Sequence, residues 1–294
     1  MSLLQLVQLT ALMERTEGSA DVSIGLVDGP VATQHPSLAG DHIRSIAGTV
    51  SASCAQLDSL ACRHGTFVAG ILSATRSSPA PAICPGCTLL IRPVFAETST
   101  RNDRMPAATP GQLAAAINDC IAAGARVINL SLGLTQPSIQ GDQALEETLN
   151  SAARRGVIVI AAAGNQATMA TSTVTRHQWV IPVAACDERG MPMNGSNLGN
   201  SIGRRGLRAP GQNITSLDTA GETFTSGGTS AAAAFVTGAV ALLWSEFPAA
   251  TATQIKLSIT LAAASRRASV VPPLLDAATA HRVLSASIAG TGRL

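Results

Sequence analysis

Residues 228–243 read GTSAAAAFVTGAVALL, a run of small side chains that becomes continuously apolar. Gly228 permits a sharp backbone turn, and Thr229-Ser230 is typical of a helix start, so we predict a helix from about Thr229 to Glu246. The alanines let this helix lie close to its neighbours. Ser230 then stands at the helix N-terminus, where the positive end of the helix dipole favours developing negative charge.

Outward from this helix, apolar strand-like runs alternate with helical stretches. Continuous Val, Ile and Leu runs between helices indicate strands that are buried on both faces. We therefore predict an α/β fold of three layers, a doubly wound, mostly parallel central sheet with helices on both faces. The predicted strands are 22–27, 88–95, 126–130, 157–162 and 179–184, and the further predicted helices are 65–73, 111–123, 143–155 and 252–263.

The domain organisation predicted from the sequence is simple. No repeat or linker divides the chain, so residues 21–294 are expected to form one domain. Residues 1–18 lack the basic start of a signal peptide, and Leu3, Leu6, Val7 and Met13 follow helical spacing. We predict that residues 1–20 form a helical extension that docks on the domain, and the expected location is cytoplasmic.

Composition excludes several classes of partner. The net charge is +2, aromatic residues make up 2% of the chain and no basic tract is present. Nucleic-acid and membrane-surface binding are therefore not expected, and the most apolar stretches are judged too short to span a bilayer. The oligomeric state stays open.

Four polar residues follow predicted strands or begin predicted helices. Asp28 ends the first strand, Asn165 follows the strand 157–162, and His64 and Ser230 precede or begin helices. In a parallel sheet such positions gather at the carboxyl edge. His64 has a suitable pKa to take the Ser230 proton, and Asp28 would fix its tautomer. The Asn165 amide and the Ser230 N–H would stabilise an oxyanion, so the pattern predicts nucleophilic acyl transfer.

Ordinary structural roles remain open for each residue taken alone. Asp28 and Asn165 also suit turns, and His64 and Ser230 suit helix caps. The cysteines are treated in the same way: Cys120 and Cys186 fit buried apolar positions, reduced thiols are the default, and disulfides or thiol redox chemistry stay alternatives for the loop cysteines. The loop cysteines are Cys54, Cys62, Cys84 and Cys87.

Several segments together resemble the subtilisin-like serine peptidases, or subtilases, over about residues 21–265. The matching strings are HGTFVAGIL (64–72), INLSLG (128–133), VIVIAAAGN (157–165), APGQNITS (209–216) and the serine segment quoted above. The resemblance implies a serine endopeptidase that binds an extended peptide or protein substrate. It also implies that substrate contacts Ser131, Leu132, Gly133, Ala162 and Gly164. Specificity stays open, because residues 166–178 differ from the family pattern.

Within this family, VDGPVATQHPSLAG (27–40) is more similar to the peptidases that process cyanobactins and related ribosomal peptides. Some of those enzymes macrocyclise with a helical insert between the Asp and the His. Only 35 residues separate Asp28 from His64 here, so the resemblance favours hydrolysis of a leader or precursor peptide. The loop 73–83 has no Asp, Glu or Asn, so no cofactor is expected and the family's calcium site is not supported. The alternative function is a catalytically silent, peptide-binding member of the family.

Overall fold

The computed structural model describes residues 2–38, 40–97, 108–131, 143–262 and 269–291. Its main sheet has seven parallel strands in the order β2-β3-β1-β4-β5-β6-β7. These strands are β1 Ser23–Asp28, β2 Ile43–Ser45, β3 Thr88–Pro93, β4 Val127–Leu130, β5 Ile158–Ala162, β6 Ile181–Cys186 and β7 Leu207–Pro210. Because β1 lies between β3 and β4, its carboxyl end is the switch point at which such sheets place reactive groups.

Helices cover both faces of this sheet. One face packs against α3 and the long helix α8, and the other face packs against α4 and α5. The three-layer, doubly wound prediction is confirmed. The helices are α1 Leu3–Leu6, α2 Thr10–Arg15, α3 Leu60–Ser73, α4 Pro110–Ala122, α5 Gln143–Arg154, α6 Thr173–Arg176, α7 Asn200–Arg205, α8 Thr229–Glu246, α9 Ala252–Leu261 and α10 Ala277–Thr291.

Helix α8 is the centre of the larger core. It has 18 residues and is apolar enough, by length and composition, to cross a membrane. The estimate that no stretch of the chain reaches this length was therefore wrong. However, 83% of this helix is buried inside the domain, where its alanines let it pack against strands β4 to β7. We therefore interpret α8 as a core helix.

A two-stranded antiparallel hairpin, β8 Ile214–Leu217 and β9 Thr223–Ser226, connects the sheet to α8. The Ser216 hydroxyl donates a hydrogen bond of 2.7 Å to the Phe67 carbonyl, which fixes the hairpin against α3. The rings of Phe67 and Phe224 also meet, with centroids 5.1 Å apart. The hairpin therefore lies beside α3 and leads directly into the N-terminus of α8.

The N-terminal segment docks on the domain as two short helices in place of the one predicted. Gln8, with φ 55°, separates α1 from α2. Val7, Leu9 and Leu12 are buried against the body of the protein. The guanidinium of Arg76 ties this segment to the loop before β3, because it donates to the carbonyls of Met13, Thr16 and Ile83.

The structure distinguishes the cysteine alternatives. Cys54 and Cys62 form a disulfide, so the default of reduced thiols was wrong for this pair. The other four cysteines, at positions 84, 87, 120 and 186, are free thiols and buried. Burial raises the pKa of Cys120 and Cys186 to about 12, which fits inert apolar positions.

Candidate active site

Asp28 and His64 form a close pair at the carboxyl end of β1. His64 Nδ1 lies 2.6 Å from Asp28 Oδ1, and the same oxygen accepts the Gly29 N–H at 2.6 Å. Asp28 is fully buried, whereas 22% of the His64 side chain is exposed. Asp28 Oδ2 is buried without a hydrogen-bond partner in the part of the chain that the structure describes. The contacts of the carboxylate are therefore with His64 and with the turn that begins at Gly29.

The contact between α3 and the turn after β1 sets this distance. A Cβ on Gly65 would lie 2.3 Å from the Pro30 carbonyl oxygen, and one on Gly29 would lie 2.0 Å from the Ala61 oxygen. Only glycines allow the two backbones to approach this closely. The sequence predicted His64 at the start of a helix. The helix begins earlier, at Leu60, so His64 lies one turn inside α3.

Hydrogen bonds and a disulfide hold the loop before α3 in place. Ser59 caps the helix by accepting the Cys62 N–H, and the Cys54–Cys62 disulfide closes the loop. The carboxylate of Glu97 accepts the N–H groups of Ala55 and Gln56. These restraints hold the first turn of α3, and with it the backbone that carries the imidazole.

Burial and Asp28 act on the His64 pKa in opposite directions. Burial lowers the pKa of His64, because it disfavours the charged imidazolium. The charge of Asp28 and its hydrogen bond raise it, and together they outweigh burial. The pKa of His64 therefore lies above its ordinary value of 6.5.

Ser230 is the second residue of α8, as predicted, and shares a cavity with His64. Its hydroxyl donates a 3.0 Å hydrogen bond to the carbonyl of Ser131, directly after β4. No hydrogen bond joins Ser230 Oγ to His64 among the described residues. To act with His64, the hydroxyl must give up its bond to the Ser131 carbonyl, and catalytic contacts in unliganded sites are often loose in this way.

Asn165 lies beside Ser230, on the loop after β5. Its Oδ1 accepts the Thr229 N–H at 2.9 Å, which fixes the orientation of the amide. Because Oδ1 is used in this contact, Nδ2 is the atom left to donate, and the side chain is exposed. Gly228, with φ 116°, lies so close that an added Cβ would be 3.0 Å from Nδ2. Asn165 Nδ2 is therefore a side-chain donor next to the N-terminus of α8, and such donors can stabilise an oxyanion.

Two positioning residues were missed by the sequence analysis. The Thr229 hydroxyl accepts the Gly164 N–H at 3.1 Å, which joins the β5 loop to α8. Asn197 accepts the N–H groups of Gln166 and Thr168 and donates to the Ala163 carbonyl, so it holds the loop that carries Asn165. The GTS string contained a signal for Thr229, but nothing in the sequence around Asn197 indicated its role.

The predicted substrate-contacting residues have different placements. Ser131 is buried, and its hydroxyl accepts from Asn129, which in turn accepts from Thr237 of α8. Leu132 and Gly133 lie outside the described residues. Ala162 is buried in β5. The N–H and C=O of Gly164 are both engaged inside the protein, so Gly164 can shape the site but has no free N–H for a substrate.

Several known proteases are similar to this chain in sequence. The chain is 32% identical to the thermostable alkaline protease of Halalkalibacterium halodurans over 197 residues, covering 67% of this chain and 51% of the relative. It is 32% identical to the thermophilic serine proteinase of Bacillus sp. (strain AK1) over 233 residues, covering 79% and 54%. The chain thus spans about half the length of these two relatives. It is also 30% identical to subtilisin Savinase of Lederbergia lenta over 252 residues, covering 85% of this chain and 86% of that one.

Solved structures show the same fold over nearly the whole chain. A serine-to-alanine mutant of the protease domain of PatA has a TM-score of 0.83 and 28% identity, covering 92% of this chain and 97% of the other. The prenylagaramide maturation protease PagA has a TM-score of 0.81 and 27% identity, covering 94% and 98%. The family model described as the subtilase family matches residues 19–283. The resemblance predicted from the sequence is confirmed, and the chain belongs to the subtilase family.

Proposed function

We propose that this protein is a serine endopeptidase that cleaves peptide bonds through an acyl-enzyme, with Asp28, His64 and Ser230 as its catalytic triad. The observation that carries the proposal is the 2.6 Å contact between His64 Nδ1 and Asp28 Oδ1 at a cavity that Ser230 also lines. Membership of the subtilase family supports the same reaction.

In the acylation step, His64 Nε2 takes the Ser230 proton while Oγ attacks the substrate carbonyl carbon. The negative charge moves onto the carbonyl oxygen, where Asn165 Nδ2 and the Ser230 N–H donate hydrogen bonds. The imidazolium next to Asp28 then gives its proton to the amine that leaves. The peptide C–N bond breaks, and the acyl group remains on Ser230.

Water completes the cycle by the reverse of these transfers. His64 takes a proton from water, the hydroxide attacks the acyl carbon, and the ester bond to Ser230 breaks. The proton returns to Ser230 Oγ, so the enzyme is regenerated and one water is consumed for each bond cleaved. By precedent, Ser230→Ala lowers kcat about 10⁶-fold.

For the substrate class, we propose a leader or precursor peptide bound in extended form. Support comes from the structural likeness to PatA and PagA, the second of which is described as a maturation protease. In the described part of residues 29–59 the only helix is the short 3-10 helix Pro36–Leu38, so these residues form no helical hairpin of the kind expected in a macrocyclase. We therefore propose hydrolysis and not cyclisation.

We propose no cofactor for this reaction. The loop 73–83 offers no carboxylate or Asn side chain, and the Arg76 guanidinium contacts carbonyls on both the loop and the N-terminal segment. This guanidinium already places a positive charge between the two segments. The one group of three metal-type ligands in the described chain consists of Cys54, Cys62 and Glu97, and its two thiols are bonded to each other.

The predicted cytoplasmic location stays a prediction, and the disulfide is a type of bond more common in oxidising compartments. Treatment of freshly lysed cells with a thiol-blocking reagent, followed by intact-mass analysis, would show whether Cys54 and Cys62 are oxidised in place. An oxidised pair argues for an oxidising compartment, and two blocked thiols argue for the cytoplasm.

The competing function is a catalytically silent peptide-binding protein. The Ser230–Ser131 hydrogen bond favours it, because the hydroxyl does not point at His64 in this structure. The two functions differ in the reactivity of Ser230: a silent site does not activate the hydroxyl, whereas a triad does.

Intact-mass analysis after exposure to a fluorophosphonate separates the two. We expect one adduct on the wild type, none on Ser230→Ala and a much slower reaction on His64→Ala. Ser151→Ala, on α5 and away from the site, serves as a matched control and should react like the wild type. Folded wild-type protein that takes no adduct would contradict the proposed activity.

A further inference from the structure

A second feature of the site is an apolar cavity of about 250 Å³ between α3 and β9. The rings of Phe67 and Phe224 form its floor, tilted by 50° with centroids 5.1 Å apart. The Arg63 guanidinium lies over the Phe224 ring, with Cζ 5.0 Å from the centroid. The cavity is completed by Leu60 and opens at His64 and Ser230.

The side of the scissile bond that faces this cavity follows from the geometry. The leaving amine must lie next to His64 to receive its proton. Ser131, whose carbonyl contacts Ser230 Oγ, lies at the end of β4 and is not part of the cavity lining, and the resemblance implies that substrate contacts it. We therefore assign the acyl segment to the Ser131 side. The acyl segment and the cavity thus lie on different sides of Ser230, and the segment that leaves as the amine faces α3 and β9.

Resting on the proposed acyl-enzyme function, we propose that Arg63, Phe67 and Phe224 form a leaving-side subsite. This subsite selects an apolar residue directly after the scissile bond and a carboxylate two residues further on, because side chains two apart in an extended peptide lie on the same face. The substrate class is thereby narrowed to peptides whose released segment begins with an apolar residue and has an acidic residue in its third position.

The chemistry of the lining supports each half of this selection. Phe67 is 3% exposed and Phe224 is half-buried, so the floor gains from covering an apolar side chain. Arg63 is exposed, and in the described chain no carboxylate forms an ion pair with it. Its guanidinium lies over the Phe224 ring, and its N–H groups are open to a carboxylate that approaches from solvent.

The size of each preference follows from burial and exposure. A leucine has four carbons that glycine lacks, and covering about half of their surface at about 0.8 kcal/mol per carbon corresponds to a preference of about tenfold. An exposed arginine–carboxylate pair is weak, and we expect about a two- to fivefold preference that salt reduces.

The test measures how the acyl-enzyme divides between water and an added amine. A peptide methyl ester acylates Ser230 without occupying the leaving side, and tripeptide amides then compete with water. The amine attacks the acyl carbon, the ester bond to Ser230 breaks, and the amine proton passes through His64 to Oγ. We expect leucyl-alanyl-glutamate amide to be captured about tenfold better than glycyl-alanyl-glutamate amide. Leucyl-alanyl-glutamate amide should exceed leucyl-alanyl-glutamine amide about two- to fivefold at low salt.

Variants separate the two halves of the subsite. Phe224→Ala should reduce the leucine preference, and Arg63→Gln should abolish the glutamate preference while keeping that for leucine. The matched control is Arg126→Gln, which removes an arginine stacked 4.1 Å over Trp244, away from the site. Normal ester hydrolysis with equal capture of all amides would overturn the subsite alone. The subsite would also be overturned if the control Arg126→Gln lost both preferences as strongly as Phe224→Ala and Arg63→Gln lose theirs. An enzyme that no ester acylates would overturn the proposed function itself.

Discussion

Replacing Gly228 with alanine should lower kcat by far more than the accompanying loss of stability can account for. Gly228 has φ 116° and ψ −177°, a backbone region that only glycine adopts readily. An added Cβ would also stand 3.0 Å from Asn165 Nδ2 and 3.2 Å from its Oδ1. The substitution therefore strains the backbone and displaces the side chain that we assign to the oxyanion.

The two effects have different magnitudes. Backbone strain of this kind costs about 1–3 kcal/mol of stability. Asn165 must move by a few tenths of an ångström, and this movement works against the 2.9 Å bond from the Thr229 N–H to its Oδ1. Complete loss of an oxyanion donor costs about 10² to 10³ in kcat. We expect Gly228→Ala to lower kcat by at least about tenfold, and by no more than the roughly 10² to 10³ that complete loss of the donor costs.

The assay pairs urea unfolding with kcat on a fluorogenic peptide. Gly124→Ala is the matched control, because Gly124 also has a positive φ, 85°, but no atom lies within 4 Å of its added Cβ. It should lose comparable stability and keep its kcat. In an Asn165→Ala background, Gly228→Ala should then cost little further kcat. An undiminished kcat in Gly228→Ala, or full additivity with Asn165→Ala, would refute the reasoning.

Three other predictions test separate parts of the structure. The pKa of His64 lies above 6.5, so kcat/KM should rise as the pH increases through that higher value. The stability that the Asp28 contact contributes should be complete below pH 6.5 and be lost as the pH rises through the same range. Asp28→Asn should lower the pKa in an NMR titration of the imidazole, and an unchanged pKa would contradict this account. Removing the Cys54–Cys62 disulfide by a double alanine substitution opens a loop with a sequence separation of 8, which should cost about 2.5 kcal/mol in the chain-entropy model, measured by urea unfolding. Arg76→Ala should cost about 2–3 kcal/mol, since a charged donor is removed from part-buried carbonyls. Arg15→Ala, which removes an exposed pair with Glu246, should cost under about 1 kcal/mol, and equal losses for the two arginines would disprove the proposed cross-link.

The sequence predicted the parts of the fold that burial determines. Strands such as β1 and β5 are buried on both faces, and their Val, Ile and Ala runs show this in the sequence. The hairpin β8–β9 was not predicted, because strand β9 is half-exposed and its TFTS sequence has no apolar run. Gln8 likewise gave no warning of its positive φ, so the N-terminal segment was predicted as one helix.

Within the site, residue identity could be predicted but orientation could not. The order of Asp28, His64 and Ser230 along the chain, each beside a strand end or a helix, was enough to select them as candidates. Nothing in the letters states which carbonyl a serine hydroxyl contacts, because that depends on the rotamer and on the neighbouring strand. The contact of Ser230 with Ser131 and the bond from Gly164 to Thr229 are therefore findings of the structure alone.

The site has two halves, each held by its own contacts, and we expect the alignment between the two halves to change on substrate binding. One half is Asp28 with His64, held by glycine contacts between α3 and the turn after β1. The other is Ser230 with Asn165, held by bonds between α8 and the β5 loop. The hydroxyl of Ser230 now belongs to the second half only, because it donates to Ser131. We expect a substrate N–H that bonds to the Ser131 carbonyl to release the Ser230 hydroxyl for His64, so that peptide binding and activation of the nucleophile are one event.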